Sequence, residues 1–182
     1  MWQYLFETEL GWTGLTIEDR AVSRVSFGWS ELDQLVQRLE PTDVQERQIE
    51  RLPRSTDCRY RFARECRQRI DEFMKSGADV LQEIPFIDPS RTPFQAAVVR
   101  ACRAIRVGET RSYADVAREA GSPHACRAVG NQMARNPLPL LIPCHRVVGS
   151  AGGLGGYSAP TGLDLKRHLL ALEAEAAQAV AS

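Results

Sequence analysis

The sequence predicts an α+β protein in which a small N-terminal α/β part is followed by a mainly helical C-terminal part. Short segments near the start alternate apolar and polar residues, whereas the apolar spacing becomes helical from Thr92 onward. A run rich in turn-forming residues, 88–93, lies between the two patterns. The 182 residues suffice for one large or two small domains. We therefore place a boundary at this run and expect domains 1–89 and 90–182.

The N-terminal elements follow from alternation and from helix start and stop signals. Three short strands are predicted over residues 4–7, 14–18 and 22–28. Ser30 begins an amphipathic helix that Pro41 ends, and a polar connection follows. Asp57 is a candidate cap for a second helix, which the residues 75–77 stop. A further strand is predicted over 81–87.

The C-terminal elements are helices separated by short turns. Four helices are predicted, over about 92–107, 113–120, 123–135 and 163–177. Ser112 caps the second of them, and Gly121 begins the turn to the third. A helix, a short turn containing glycine and another helix form the helix-turn-helix pattern, with Arg127 and Arg135 on its second helix.

Composition excludes some classes of protein. The hydrophobic content of 43% supports a packed core, and no apolar run approaches the length of a membrane span. The first residues show no basic segment or cleavage site, so we expect no signal peptide. Five cysteines at scattered spacings suit reduced thiols in the cytoplasm better than a disulfide framework.

The net charge of zero conceals an asymmetry between the two halves. Residues 1–90 carry 12 Lys and Arg against 17 Asp and Glu, a balance of −5, while residues 91–182 carry 11 against 6, a balance of +5. A basic half can face a polyanion while the acidic half faces away from it, although an offset of this size also arises by chance.

The stretch with the clearest chemical content surrounds a cysteine. The apolar run 138–142 is predicted to be a short buried strand that stops at Pro143, directly before Cys144 and His145. A thiol at the end of a buried strand is held rigidly and can still meet a substrate, but a cysteine that simply packs in the core is an equally good interpretation of the pair alone. The glycine-rich run 149–156 lets the backbone approach a flat ligand closely, and it fits no nucleotide-phosphate motif.

Residues 93–173 resemble the catalytic domain of the O6-alkylguanine-DNA alkyltransferases, also called methylated-DNA–protein-cysteine methyltransferases. The resemblance rests on segments in the same order and at matching spacing: Pro93-Phe94-Gln95, Gly108-Glu109-Thr110, Ser112-Tyr113, Arg127-Ala128-Val129-Gly130, Asn136-Pro137, Pro143-Cys144-His145-Arg146-Val147, Gly156-Tyr157, Lys166, Leu169-Leu170 and Glu173. The N-terminal half matches only in length and in its strand-helix pattern, for which the family implies a ribonuclease H-like domain.

The resemblance implies the chemistry of a self-alkylating thiol. Cys144 attacks the alkyl carbon on the O6 atom of guanine, His145 acts as the base through a water, and Glu173 orients His145. A free thiol has a pKa of about 8.5, so such a cysteine needs activation. Asn136 braces the turn that carries the thiol. The product is a thioether that water cannot hydrolyse, so we expect one turnover for each protein molecule.

The resemblance also implies how duplex DNA is bound. The target base must leave the stack, and the helix-turn-helix would dock in the minor groove. Arg127 would fill the vacated space and Tyr113 would help to rotate the nucleotide and then donate to the base. Four residues are implied in the base pocket: Val147, Ser158, Tyr157 and Pro139. Ser150 is expected to hold phosphate, and Arg135 adds charge, although it matches the family pattern poorly.

The implied partner is double-stranded DNA bearing O6-alkylguanine, with O4-alkylthymine as a second candidate substrate. We expect a monomer in the cytoplasm that needs no cofactor or metal and does not bind membranes. Two positions depart from the family: Val99 stands where tryptophan is usual, and the loop 159–162 is about two residues longer.

Three alternatives stay open on the residues themselves. A non-catalytic helix-turn-helix regulator would tolerate the loss of Cys144, and a cysteine hydrolase would turn over repeatedly. The third alternative is a zinc site formed by His124, Cys126, Cys144 and His145, but their spacings match no standard finger.

Overall fold

The computed structural model describes residues 1–39, 46–49 and 58–181, and within them helices and strands are mixed. The strands are β1 (Trp2–Thr8), β2 (Gly11–Glu18), β3 (Ala21–Trp29), β4 (Glu46–Ile49), β5 (Arg111–Ser112) and β6 (Val147–Val148). The helices are α1 (Leu32–Arg38), α2 (Cys58–Ser76), α3 (Pro93–Arg103), α4 (Tyr113–Glu119), α5 (Cys126–Ala134) and α6 (Leu163–Ala181). Among these helices, none is long and apolar enough to cross a membrane.

The N-terminal part is a four-stranded sheet in the order β3-β2-β1-β4, covered on both faces. β1, β2 and β3 are antiparallel neighbours, whereas β4 pairs with β1 in parallel. Successive side chains of a strand point to opposite faces. Tyr4 and Phe6 therefore pack in the main core, which includes Phe73 of α2, while Leu5 packs with Leu35 of α1 on the other face.

The predicted N-terminal strands and both helices are confirmed, but two expectations in this region change. β4 lies in the segment that we expected to be a connection. The strand predicted over 81–87 is wrong: Leu81–Glu83 forms a 3-10 turn, and Phe86 makes only one bridge, to Val22. The polar groups of Gln82 bond to Arg103 instead of to a strand. Asp57 lies outside the described residues.

The C-terminal helices start where the sequence places their caps. Thr92 accepts a hydrogen bond from the backbone N–H of Gln95 at the start of α3, and Ser112 forms a capping box with Asp115 at the start of α4. α5 is shorter than predicted, because the residues before it form a turn in which the N–H of Ala125 donates to the carbonyl of Ser122 over 2.9 Å.

The apolar run 138–142 is a buried turn, so the prediction of a strand there was wrong although the prediction of burial is confirmed. The N–H of Ile142 donates to the carbonyl of Leu138 over 2.8 Å, and Leu140 has a φ of 74°. Pro139 has no N–H to give to a neighbouring strand, and this favours local bonds over a ladder.

The N-terminal sheet is bonded directly to this turn. The N–H of Val25 in β3 donates to the carbonyl of Pro137 over 2.8 Å. Val22 of the same strand donates to the carbonyl of Pro85 over 2.9 Å and accepts from the N–H of Ile87 over 2.9 Å. The outer edge of β3 therefore rests on chain segments from later in the sequence.

Candidate functional site

Cys144 lies where the buried turn meets a cleft. It is the first residue of the 3-10 turn Cys144–Arg146, and its side chain is 7% exposed. The cleft has a cavity volume of about 70 Å³. The lining residues of the C-terminal part include, besides Cys144, Asn136, Pro137, Pro139, Tyr157 and Ser158. The structure thus brings the predicted nucleophile together with three of the four predicted base-pocket residues.

Asn136 braces the turn that carries the thiol, as its predicted role requires. Its Oδ1 accepts from the N–H of Leu138 over 3.0 Å, and its Nδ2 donates to the carbonyl of Ile142 over 2.8 Å. Burial raises the pKa of the Cys144 thiol, while a hydrogen bond from Asn136 and the nearby charge of Lys166 oppose that rise. The thiol is therefore protonated at rest and needs a base.

His145 and Glu173 form a fully buried pair. The Nε2 atom of His145 lies 2.9 Å from Oε1 of Glu173, and both side chains are 0% exposed. Burial lowers the pKa of His145 despite the hydrogen bond to Glu173, so the imidazole is neutral and able to take up a proton. Its Nδ1 has no hydrogen-bond partner among the residues that the structure describes.

Arg146 completes this pair and had no predicted role. Its Nε donates to both carboxylate oxygens of Glu173 over 3.0 Å, its Nη2 donates over 2.8 Å, and its Nη1 reaches the carbonyl of Ile105 over 2.7 Å. Burial alone would raise the pKa of Glu173, but His145 and Arg146 together lower it. Glu173 is therefore a carboxylate held between a cation and an imidazole.

Lys166 is a second buried cation without a predicted role. Its Nζ donates to the carbonyls of Val147 and Leu154, each over 2.6 Å, and the residue is 0% exposed. It joins the strand after Cys144 to the glycine-rich loop. The carbonyl of Val147 keeps a second lone pair for a ligand, as the predicted base contact requires.

Tyr113 is fixed against the glycine-rich loop. A Cβ atom on Gly155, which has a φ of +70°, would lie 2.6 Å from the Tyr113 hydroxyl, so only glycine fits there. Burial raises the pKa of Tyr113, although a bond from the backbone of Gly156 opposes the rise. The phenol is therefore a proton donor at neutral pH. The close pairing explains why the loop carries a glycine at this position.

Four further predicted residues do not line the cleft: Arg127, Arg135, Ser150 and Val147. Arg127 in the first turn of α5 and Arg135 directly after this helix are exposed. Ser150 is exposed at the start of the 3-10 turn Ser150–Gly152. Val147 is buried beside Cys144. The Tyr157 hydroxyl is buried without a hydrogen-bond partner in the described part of the chain.

The two departures from the family pattern have structural counterparts. The longer loop 159–162 closes in a turn, in which the N–H of Gly162 donates to the carbonyl of Ala159 over 2.9 Å, and Pro160 lines the cleft. Val99 borders a separate cavity of about 330 Å³ between α3 and α5.

Within the described ranges, no three His, Cys, Asp or Glu side chains are placed to hold a metal ion.

We expect the stability of the protein to fall on acidification from about pH 6.5, the usual pKa of histidine. The pKa of His145 is lowered in the folded state, so below that pH the unfolded chain binds a proton that the folded chain does not. Thermal unfolding between pH 4 and 8 measures this effect. The change His145→Gln should shift the onset of the loss toward the carboxylate range, while His168→Gln, on an exposed residue, should leave the onset unchanged. An identical acid profile for both variants would contradict the assignment.

Comparisons with known proteins bear on the whole fold and on the C-terminal half. Residues 93–175 match the family model described as the DNA-binding domain of 6-O-methylguanine DNA methyltransferase. A methylated-DNA–protein-cysteine methyltransferase of Methanosarcina acetivorans is 48% identical over 85 residues, which are 47% of this chain and 53% of that protein. The constitutive enzyme of Bacillus subtilis is 42% identical over 109 residues, 60% of this chain and 64% of that protein. The match to the first of these relatives spans about half of its length.

A solved structure of Mycobacterium tuberculosis OGT in complex with DNA is similar over nearly the whole chain. It superimposes with a TM-score of 0.69 at 28% identity, covering 95% of this chain and 93% of that one. The chain is thus a mixed helix-and-sheet protein with the architecture of OGT. Its residues 93–175 are similar to the DNA-binding domain of the 6-O-methylguanine DNA methyltransferases, in agreement with the resemblance in the sequence.

Proposed function

We propose that the protein repairs DNA by transferring the alkyl group of O6-alkylguanine irreversibly to its own Cys144. The observation that carries the proposal is that Cys144 borders a cleft with Pro139, Tyr157 and Ser158, while the adjacent His145 is bound to Glu173 over 2.9 Å. The names of the relatives, methylated-DNA–protein-cysteine methyltransferases, support the same activity.

The reaction is a displacement at carbon. His145 takes the proton of the Cys144 thiol through a water, Glu173 stabilises the resulting imidazolium, and the thiolate attacks the alkyl carbon. A sulfur–carbon bond forms as the carbon–O6 bond breaks, and the leaving guanine takes a proton from Tyr113. The proton that His145 took from the thiol returns through solvent to the phenol, so the protons balance. The thioether has no carbonyl that water could attack, so the protein is consumed.

Binding of duplex DNA assigns roles to the surface residues. We infer that α4 and α5 are a helix-turn-helix that docks in the minor groove, and that Arg127 fills the space of a base rotated out of the stack. Ser150 would hold phosphate, Arg135 would add positive charge, and the Val147 backbone with Ser158 would read the guanine. O4-alkylthymine is a second candidate substrate.

The finer architecture belongs to the same proposal. We infer a ribonuclease H-like support domain over residues 1–89 and a DNA-binding and alkyl-transfer domain over residues 90–182. The protein would act as a monomer in the cytoplasm, without a cofactor. The reduced cysteines support the compartment, because Cys66, Cys102, Cys126 and Cys144 are all free thiols.

Intact mass after incubation with duplex DNA containing O6-methylguanine tests the function. We expect a gain of one methyl group that maps to Cys144, no gain in Cys144→Ala, and an unchanged gain in Cys126→Ala, in which an exposed thiol is removed. Repeated turnover on an ester or amide without a stable adduct would favour a cysteine hydrolase. DNA binding without any adduct would favour a non-catalytic regulator.

A further inference from the structure

The cleft beside Cys144 has a second wall, which comes from the N-terminal sheet. Residues of β3 and the last residue of α1 line it, opposite Tyr157 and Ser158: they are Arg24, Val25, Ser26, Phe27, Trp29 and Arg38. The N-terminal half therefore forms part of the site itself. No role of this half in the proposed reaction accounts for that contribution.

The charged side chains on this lining are of one sign. Among the described residues, Arg24 and Arg38 are the charged groups that line the cleft, and no carboxylate does so. Both arginines are exposed, and neither forms an ion pair with a described residue, unlike Arg118, which lies 2.8 Å from Asp115. A cleft with one sign of charge concentrates counter-ions of the opposite sign.

We propose that Arg24 and Arg38 bind backbone phosphates of the DNA strand whose nucleotide enters the cleft. The inference rests on the proposed function and assigns to the N-terminal half a role in binding the substrate. In this proposal the base and its alkyl group enter the cleft, and the sugar and its phosphates stay outside it. Arg24 and Arg38 line the cleft and are also exposed to solvent. Arginine is suited to phosphate oxygens because its fork of N–H donors matches them.

The two arginines at the cleft contrast with the negative net charge of the N-terminal half. Residues 1–90 carry a balance of −5, which should repel DNA, yet the side chains that this half presents to the cleft include two cations and no acid. The C-terminal half carries a balance of +5, and Arg127 of α5 and Arg135 directly after this helix are exposed. Contacts of this kind position a duplex without reading its sequence.

The experiment measures the rate constant of methyl transfer, at subsaturating protein, as a function of salt concentration. The substrates are duplex DNA containing O6-methylguanine and the free base O6-methylguanine, which has no phosphate. The variants are Arg24→Gln, Arg38→Gln and the double variant. Arg61→Gln is the matched control, because Arg61 is an exposed arginine of the same half that does not line the cleft.

With the duplex, the slope of log rate against log salt should become shallower by about 0.9 for each phosphate contact removed. Between 50 and 200 mM salt, each single variant should therefore lose about 3.5-fold less rate than the unmodified protein, and the double variant about 12-fold less. The free base should react equally fast with all variants, and Arg61→Gln should behave as the unmodified protein does.

Three outcomes would overturn the inference. First, the salt slope could be unchanged in the double variant. Second, the variants could lose as much rate on the free base as on the duplex. Third, the variants could transfer the alkyl group more slowly only from a duplex carrying O6-carboxymethylguanine. The last result would mean that the arginines meet an anionic alkyl group and not a phosphate. Absence of methyl transfer by the unmodified protein on both substrates would instead refute the proposed function, and direct binding of unmodified duplex across the same salt series would still test the phosphate contacts.

Discussion

Replacing Glu173 with glutamine is expected to lower the free energy of unfolding by about 3–5 kcal/mol, the usual cost of removing one partner of a buried ion pair. The change keeps the shape of the side chain but leaves the guanidinium of Arg146 buried without its counter-charge. Arg146 is 2% exposed and makes three of its four hydrogen bonds to Glu173. For a chain of this size, the melting temperature should fall by about 2–4 °C for each kcal/mol.

Alkyl transfer by Glu173→Gln should slow by on the order of 10²- to 10⁴-fold, because the imidazolium that forms on His145 would lose the carboxylate that stabilises it. Single-turnover kinetics at a temperature well below the melting transition measure this loss separately from stability. Glu175→Gln is the matched control, since Glu175 lies on the same helix and is exposed. Its stability should change by less than about 0.5 kcal/mol and its rate should not change.

A double variant separates the two roles of Glu173. Arg146→Met together with Glu173→Gln removes the unpaired cation, so part of the lost stability should return. The transfer rate should stay low, because His145 still lacks its carboxylate partner. Recovery of the rate along with the stability would show that Glu173 acts only on folding.

Replacing Lys166 with methionine is expected to be the second large effect. The ammonium group bonds the carbonyls of Val147 and Leu154 over 2.6 Å each, and methionine leaves both without this donor. A buried polar group that loses its partner costs about 1–3 kcal/mol. The strand after Cys144 and the glycine-rich loop would then no longer be held together at the cleft.

The same change should move the pH dependence of methyl transfer to higher pH. The charge of Lys166 favours the thiolate of Cys144, against the burial that raises the pKa of that thiol. Without the charge, the pKa rises further and a smaller fraction of thiolate forms at neutral pH. Rates measured from pH 6 to 9 test this, and Arg167→Met is the control, because the Arg167 side chain is exposed and pairs with Asp164. An unchanged pH profile in Lys166→Met would contradict the electrostatic role.

The sequence predicted the local elements well because local signals define them. Alternation predicted β1 to β3, and the capping residue Ser112 marked the start of α4. β4 was missed, since the sequence of Glu46–Ile49 has no strand pattern and its conformation depends on pairing with β1. The strand predicted over 138–142 was wrong because periodicity cannot distinguish a buried strand from a buried turn in so short a run.

The site was predicted in part, and the missing part has a physical explanation. Resemblance to a family supplied Cys144, His145 and Glu173, but nothing in their spacing predicts that residues 28 apart meet in a buried pair. Arg146 and Lys166 were assigned no role, because arginine and lysine are rarely buried. Two features of the sequence could have indicated the ion pair between Arg146 and Glu173. One is the cation directly after His145, and the other is the single acid near the apolar face of the last helix.

The hydrogen bonds on the outer side of β3 protect the sheet from self-association. β3 is the last strand in the order β3-β2-β1-β4, and an open last strand is a template for the strand of another chain. In this protein, backbone groups at the outer edge of β3 are already hydrogen-bonded, to the carbonyls of Pro85 and Pro137 and to the N–H of Ile87. Fragments that end before residue 85 should therefore tend to aggregate, so the C-terminal half also acts as the solubility partner of the sheet.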